Sequence, residues 1–177
     1  MEASDEYKLE GFKIVLKASL ASHSDVTTDQ RSAQFYDGGA HDKTAGSSEK
    51  WTKDIAAKLG ISAESVSNLY HYPGEGQLDL IIESKDLPKT NSKSTQHIAA
   101  LLSAGRQAIG IDRATSLEEI RKACDHYRVY DAKNFSSYVK ALGSKFRFDG
   151  DGSARTVELT NGAFTATGEI AKKYLGV

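Results

Sequence analysis

The sequence predicts an α+β fold, mainly α, in two units that each carry a short β-hairpin. Apolar residues recur at helical spacing in several separate stretches, most plainly at Phe135, Tyr138, Val139 and Leu142. Short alternating stretches such as Leu78, Leu80 and Ile82 follow the helical ones. This order of stretches occurs twice along 177 residues, a length that admits one ordinary domain or two small ones. The boundary is expected at Pro88, giving an N-terminal unit of residues 1–88 and a C-terminal unit of residues 89–177.

Composition narrows the class. An apolar content of 39% with 27% charged residues suits a water-soluble globular chain. No run of about 18 apolar residues offers a membrane span. Met1-Glu2-Ala3-Ser4-Asp5-Glu6 is acidic and lacks the basic-then-apolar order of a secretory signal. Cys124 is the only cysteine, so no internal disulfide can form and no cysteine-based zinc site is expected. A cytoplasmic protein without cofactor or metal is the expectation. The net charge of −1 hides an asymmetry: residues 1–90 hold 10 Lys/Arg against 15 Asp/Glu, and residues 91–177 hold 13 against 9. Such a split between halves hints at an electrostatic partner on one side.

Phe12, Ile14, Leu16 and Leu20 fit an alternating strand. Phe12, Val15, Leu16 and Leu20 fit a helix face nearly as well, and the β-branched residues favour the strand. A helix is expected over residues 28–36, capped by Thr27 or Thr28, and residues 37–48 read as an exposed small-residue loop. Two short helices follow between Trp51 and Tyr70. Thr52 caps the first, which carries Ile55, Ala56 and Leu59. Gly60 supplies the turn, and Ser62 caps the second, with Val66, Leu69 and Tyr70 facing inward. Pro73 and Gly74 stop it before the strand at Leu78, Leu80 and Ile82.

Residues 86–94, with Pro88, Asn91 and two lysines, read as a linker. A helix over residues 95–109 presents Ile98, Leu101 and Leu102 on one face. Ser116 caps Leu117–His126, where Leu117, Ile120 and Cys124 repeat at helical spacing. Asp131 caps a helix over residues 132–142. Residues 145–148 and Thr156–Leu159 are strands flanking the turn Asp149-Gly150-Asp151-Gly152-Ser153. A last helix covers roughly residues 162–175. The two halves match in pattern rather than in residue identity.

Residues 52–69 resemble the helix-turn-helix superfamily: small Ala56 admits a close approach, Gly60 makes the turn, and Ile61, Val66 and Leu69 lock the pair. With their strands, both halves resemble winged-helix-like units with short β-hairpins, which implies tandem winged helix-turn-helix modules. In the first unit that resemblance would turn Ser62, Ala63, Glu64, Ser67 and Asn68 towards a groove. This set holds no Lys or Arg, and phosphate would repel Glu64, so a packing or protein-binding role fits it better.

The second unit has the more suitable chemistry. Opposite its apolar stripe, residues 132–142 present Lys133, Asn134, Ser136, Ser137 and Lys140, with Lys133, Ser137 and Lys140 at i, i+4 and i+7. Lysines there would lie near phosphates, and Asn134 could read a base edge. Lys145, Arg147 and Arg155 flank the hairpin, which resembles the wing of winged helices. Without an exposed aromatic series for base stacking, duplex DNA is favoured over a single strand.

Enzyme classes find little purchase. The five histidines lack HExxH spacing, and no GxSxG, Walker loop or GxGxxG is present. Read as a calcium loop, the segment from Asp149 has Ala154 at the sixth position and Thr160 at the twelfth, so it fails as one. Cys124 lies on an apolar helix side, as a buried inert thiol would, and Trp51 reads as a packing anchor. The expected function is therefore duplex-DNA binding, as a transcriptional regulator or an accessory factor in nucleic-acid processing. A homodimer would pair two half-sites, and the acidic unit would dock a protein partner. The competing expectation is an adaptor that uses both scaffolds for protein partners without touching DNA.

Overall fold

The computed structural model describes residues 45–177. The strand expected at residues 12–20, the helix at 28–36 and the first part of the loop at 37–48 lie outside the described residues.

Helix α1 spans Ala45–Leu59 and α2 spans Ala63–Val66. The loop reading of residues 45–48 is thus corrected: they form the first turn of α1. Thr52 is an interior residue rather than a cap, and its hydroxyl donates back to the Glu49 carbonyl at 3.0 Å. Gly60 stands at φ +66, where a side chain would strain the backbone, and lets the chain leave α1. Ser62 caps α2 as expected, its Oγ accepting from the Ser65 amide at 3.2 Å. The second helix is only one turn long. Leu69 and Tyr70 are buried, but Tyr70 already belongs to a strand. β1 (Tyr70–Gly74) and β2 (Gln77–Leu80) form an antiparallel hairpin around the two-residue turn Glu75-Gly76. Pro73 and Gly74 therefore sit inside a strand instead of ending a helix.

Helix α3, Asn91–Ala108, is the axis of the described fold. It contacts α1, β2, β5 and every later helix. The expected linker runs into its first turn, since residues 91–94 are helical: Thr90 caps it, and the buried Ser94 hydroxyl donates to the Pro88 carbonyl at 2.6 Å. One apolar face was expected, yet burial runs all round from Ser94 to Arg106 except at Gln96 and His97. Small residues make this possible, since Ala99, Ala100, Ser103, Ala104 and Gly105 let neighbours pack closely on every side.

After α3 come β3 (Thr115–Ser116), α4 (Leu117–His126), α5 (Phe135–Lys140), β4 (Phe146–Asp149), β5 (Thr156–Leu159) and α6 (Asn161–Leu175). Ser116 caps α4 by accepting from the Glu119 amide. The two-residue β3 was not expected; it completes a three-stranded antiparallel sheet in the order β3-β5-β4. In that sheet Phe146 opposes Leu159 and Arg147 opposes Glu158. The Gln107 amide pins the sheet to α3, accepting from Leu159 N at 2.9 Å and donating to Leu159 O at 3.1 Å.

One hydrophobic cluster runs from Ile55 to Ala171, across the expected boundary at Pro88. Two buried tyrosines tie residues on either side of it: Tyr70 donates to Leu101 O at 2.9 Å, and Tyr127 donates to Leu80 O at 2.7 Å. Helices α1 and α6 meet so closely that a Cβ on Gly168 would lie 2.1 Å from the Leu59 carbonyl oxygen. The overall class is α+β, mainly helical, with small antiparallel sheets.

Candidate nucleic-acid interface

The turn before α5 organises the basic face. Asp131 caps this turn rather than the helix it was expected to cap, since the helix starts at Phe135 with Asn134 as its N-cap: Oδ1 accepts from the Lys133 and Asn134 amides at 3.1 and 3.2 Å. Its other oxygen, Oδ2, accepts from Asn134 Nδ2 at 2.9 Å and from the Tyr138 hydroxyl at 3.1 Å. These bonds, with Asn134 foremost, hold the Asp131 carboxyl below its ordinary range. They also spend the Asn134 side chain. The expected base reader is half-buried and engaged in the cap, a correction that follows from its nearness to an acceptor carboxylate. The helix proper is shorter than residues 132–142, because residues 132–134 form a tighter turn.

Lys133, Ser136, Ser137 and Lys140 are all exposed on this segment, while Phe135 and Val139 are buried beneath it. The Ser137 hydroxyl donates to the Asn134 carbonyl at 2.7 Å, which leaves its lone pairs outward. Lys145, exposed just before β4, has its backbone fixed by the Thr160 hydroxyl at 2.7 Å. Among the described residues Lys133, Lys140, Lys145 and Arg147 enter no ion pair. Arg147 nevertheless stands opposite Glu158, which binds Arg113 at 3.0 Å, so its face of the sheet carries both signs. Arg155 is not presented as a wing cation. It is half-buried, donates to Gly150 O at 3.3 Å and lies 3.6 Å from Asp151, folded onto its own loop.

In the first pair, Ser62, Glu64, Ser67 and Asn68 are exposed around the one-turn α2, and no Lys or Arg stands among them. Trp51 packs against Tyr72 with ring centroids 5.9 Å apart, as an anchor would. Cys124 is fully buried, and desolvation pushes its thiol up to about 12, which keeps it protonated and unreactive.

Two clefts accompany these surfaces. The larger, about 660 Å³, lies between β2 and α4 and is lined among others by Asp79, Arg106, Glu119, Lys122 and His126. Its buried Arg106 is matched by Asp112 and Glu119. The smaller, about 400 Å³, lies between α3, α6 and the residues joining α5 to β4. Sequence reasoning had no signal for either, since their walls come from distant segments.

Among the described residues no helix is long and apolar enough to cross a membrane, and no three His, Cys, Asp or Glu side chains are grouped to hold a metal ion. In comparisons with protein-family models, curated proteins and solved structures, nothing matches the chain.

Proposed function

We propose that residues 91–159 form a winged-helix unit that binds duplex DNA with little sequence preference. The connectivity supports this reading: helix, short strand, two helices, then a hairpin whose last strand pairs with the first. In a winged helix that order offers α5 to the major groove and the β4–β5 hairpin as the wing.

The observation that carries the proposal is that Lys133, Lys140 and Lys145 around α5 are exposed and, among the described residues, enter no ion pair. A cation already matched by a carboxylate must lose that partner to meet a phosphate, whereas these three do not. Specific base reading is weak in this arrangement, because Asn134 is engaged and only Ser136 and Ser137 remain on the face. Affinity would then come from phosphates, with Arg147 as a fourth contact. A regulator or accessory factor that tolerates many sequences fits such chemistry.

Fluorescence anisotropy with a labelled duplex tests it. Four phosphate contacts give a log–log salt slope of about −3.6, or a loss of affinity of about 100-fold from 50 to 200 mM salt. Lys133→Glu with Lys140→Glu should remove binding. No measurable binding of the parent at low salt would sink the proposal.

The adaptor reading rests on a separate observation. Ile81, 46% exposed, stands at the larger cleft beside β2, where a protein partner could cover it. Loss of partner binding in Ile81→Asp, with DNA binding absent in the parent, would favour that reading instead.

A further inference from the structure

The larger cleft carries an exposed apolar side chain and a surplus of carboxylates next to each other. Gln77, Asp79 and Ile81 are exposed and alternate with buried Leu78 and Leu80, so the three share one face of the hairpin. The Ile81 amide donates to the Leu69 carbonyl at 2.9 Å, which extends the ladder past β2 and keeps Ile81 in that alternation. On an extended backbone Asp79 and Ile81 then stand about 7 Å apart. Among the described residues Ile81 and Val177 are the exposed large apolar side chains, and Ile81 shares a concave wall with Leu80, Leu102 and Ala123.

Charge decides what such a wall accepts. Arg106 offers no free positive charge, since Asp112 and Glu119 both bind it. Lys122 is the other Lys or Arg of the lining, against Glu75 and Asp79. None of these three enters an ion pair among the described residues. Counting Asp112, which pairs with Arg106 from outside the lining, carboxylates outnumber Lys and Arg four to two. The Asp79 carboxylate accepts from Gln77 Nε2 at 3.2 Å, a neutral donor that leaves its charge in place. His71 stands opposite Asp79 in the register, and His126 lines the α4 side. A surplus of carboxylates repels nucleic-acid phosphate and attracts a cation.

We propose that this cleft docks a segment of a partner protein in which an apolar side chain covers Ile81 and a nearby lysine or arginine meets Asp79. Glu75 adds to the attraction from the hairpin turn. Apolar contact alone accepts many partners, whereas carboxylates beside it select for positive charge and against negative. The assignment rests on the adaptor surface at Ile81 and uses no residue of the candidate DNA interface.

Fluorescence anisotropy of the whole chain with the labelled, end-capped peptide Lys-Ser-Leu-Ser-Lys tests it, since the extended peptide puts both lysines and the leucine on one face. It should bind with a Kd of about 1 mM or below. Glu-Ser-Leu-Ser-Glu should bind at least about tenfold more weakly, and Lys-Ser-Ser-Ser-Lys at least about threefold. Asp79→Asn and Ile81→Asn, both at exposed positions, should each weaken the first peptide by about threefold or more while circular dichroism shows the fold intact. Glu64→Gln removes an exposed carboxylate of the first pair and should leave binding unchanged, which separates docking at the cleft from the pull of overall charge. No peptide binding at about 5 mM overturns both the docking surface and its partner class. Equal affinity for either comparison peptide overturns the partner class; if that binding is lost in Ile81→Asn, the docking surface itself stands. Weakening by Glu64→Gln as large as by Asp79→Asn, or none by either variant at the cleft, also overturns the assignment.

Discussion

The two corners of this chain, after α1 and after α4, each turn on one residue of positive φ, but the residue types differ. At the first, Gly60 takes φ +66; at the second, Arg128 takes φ +58 after α4. Glycine adopts that backbone freely, whereas a residue with a Cβ is strained there by about 1–2 kcal/mol. The first corner is legible and relaxed, yet its second helix is one turn long and faces solvent with Glu64 and no cation. The second corner is strained and hidden, yet it carries Lys133 and Lys140 outward. A clear helix–turn–helix pattern therefore reports a backbone corner. Surface chemistry is decided separately, by what the exposed positions happen to be and whether they are already paired.

The comparison breaks most sharply on DNA. Reversing Lys133 and Lys140 to Glu should cost more than about 100-fold in duplex affinity, since two contacts are lost and two repulsions gained. Glu64→Gln with Ser67→Ala in the first pair should leave anisotropy titrations within about twofold, as no phosphate contact is expected there. Equal losses from both pairs would place the interface elsewhere.

The next effect concerns what holds the first pair to the rest. Gly168→Ala forces a methyl onto the Leu59 carbonyl, so α1 and α6 must separate. Thermal denaturation should show a loss of about 1–3 kcal/mol or more, the usual range for overpacking. An unchanged melting temperature would mean that α1 is not anchored through this crossing.

The corners themselves can be exchanged. A Cβ on Gly60 meets nothing within 4 Å, so Gly60→Ala isolates the backbone cost and should destabilise by about 1 kcal/mol. Arg128→Gly should stabilise by up to about 1 kcal/mol, because relief of strain outweighs the added freedom of the unfolded chain. Urea unfolding of both variants checks the opposite signs.

Acid distinguishes the caps. Ser62 does not titrate, but Asp131 does, and its folded pKa lies below the ordinary value of 3.8. Its stabilisation is complete above that value and is lost as pH falls through the lower folded pKa. Amide resonances of Lys133 and Asn134 should shift in that window, while that of Ser65 stays put. The smallest effect is chemical: native Cys124 should not react with a thiol reagent at neutral pH, and unfolding should release it.

Much of the fold was legible because its signals are local. Gly60, Ser62, Thr156–Leu159, the stripe on α4 and the final helix each rest on residues within a turn or two of one another. The shortened α2 was not legible, since Tyr70 pairs with Leu80 across a hairpin and tertiary pairing overrides helical spacing. Of the candidate interface, the exposed lysines were readable from periodicity, but the fate of Asn134 and Arg155 was not. Each depends on which acceptor lies within about 3 Å, a distance that spacing along the chain does not specify.

The sequence by itself determined an α+β chain, mainly helical, with a sharp corner at Gly60 and a basic stripe from Lys133 to Lys140. Only the tertiary structure decided that α3 is buried almost all round and that one core crosses Pro88. It alone also brought Lys145 and Thr167 to the wall of one cleft. The physical reason is range. Caps, turns and periodicity are properties of neighbouring residues. Burial of small residues, neutralisation of charges and the walls of a cleft arise when segments far apart in the chain are packed together.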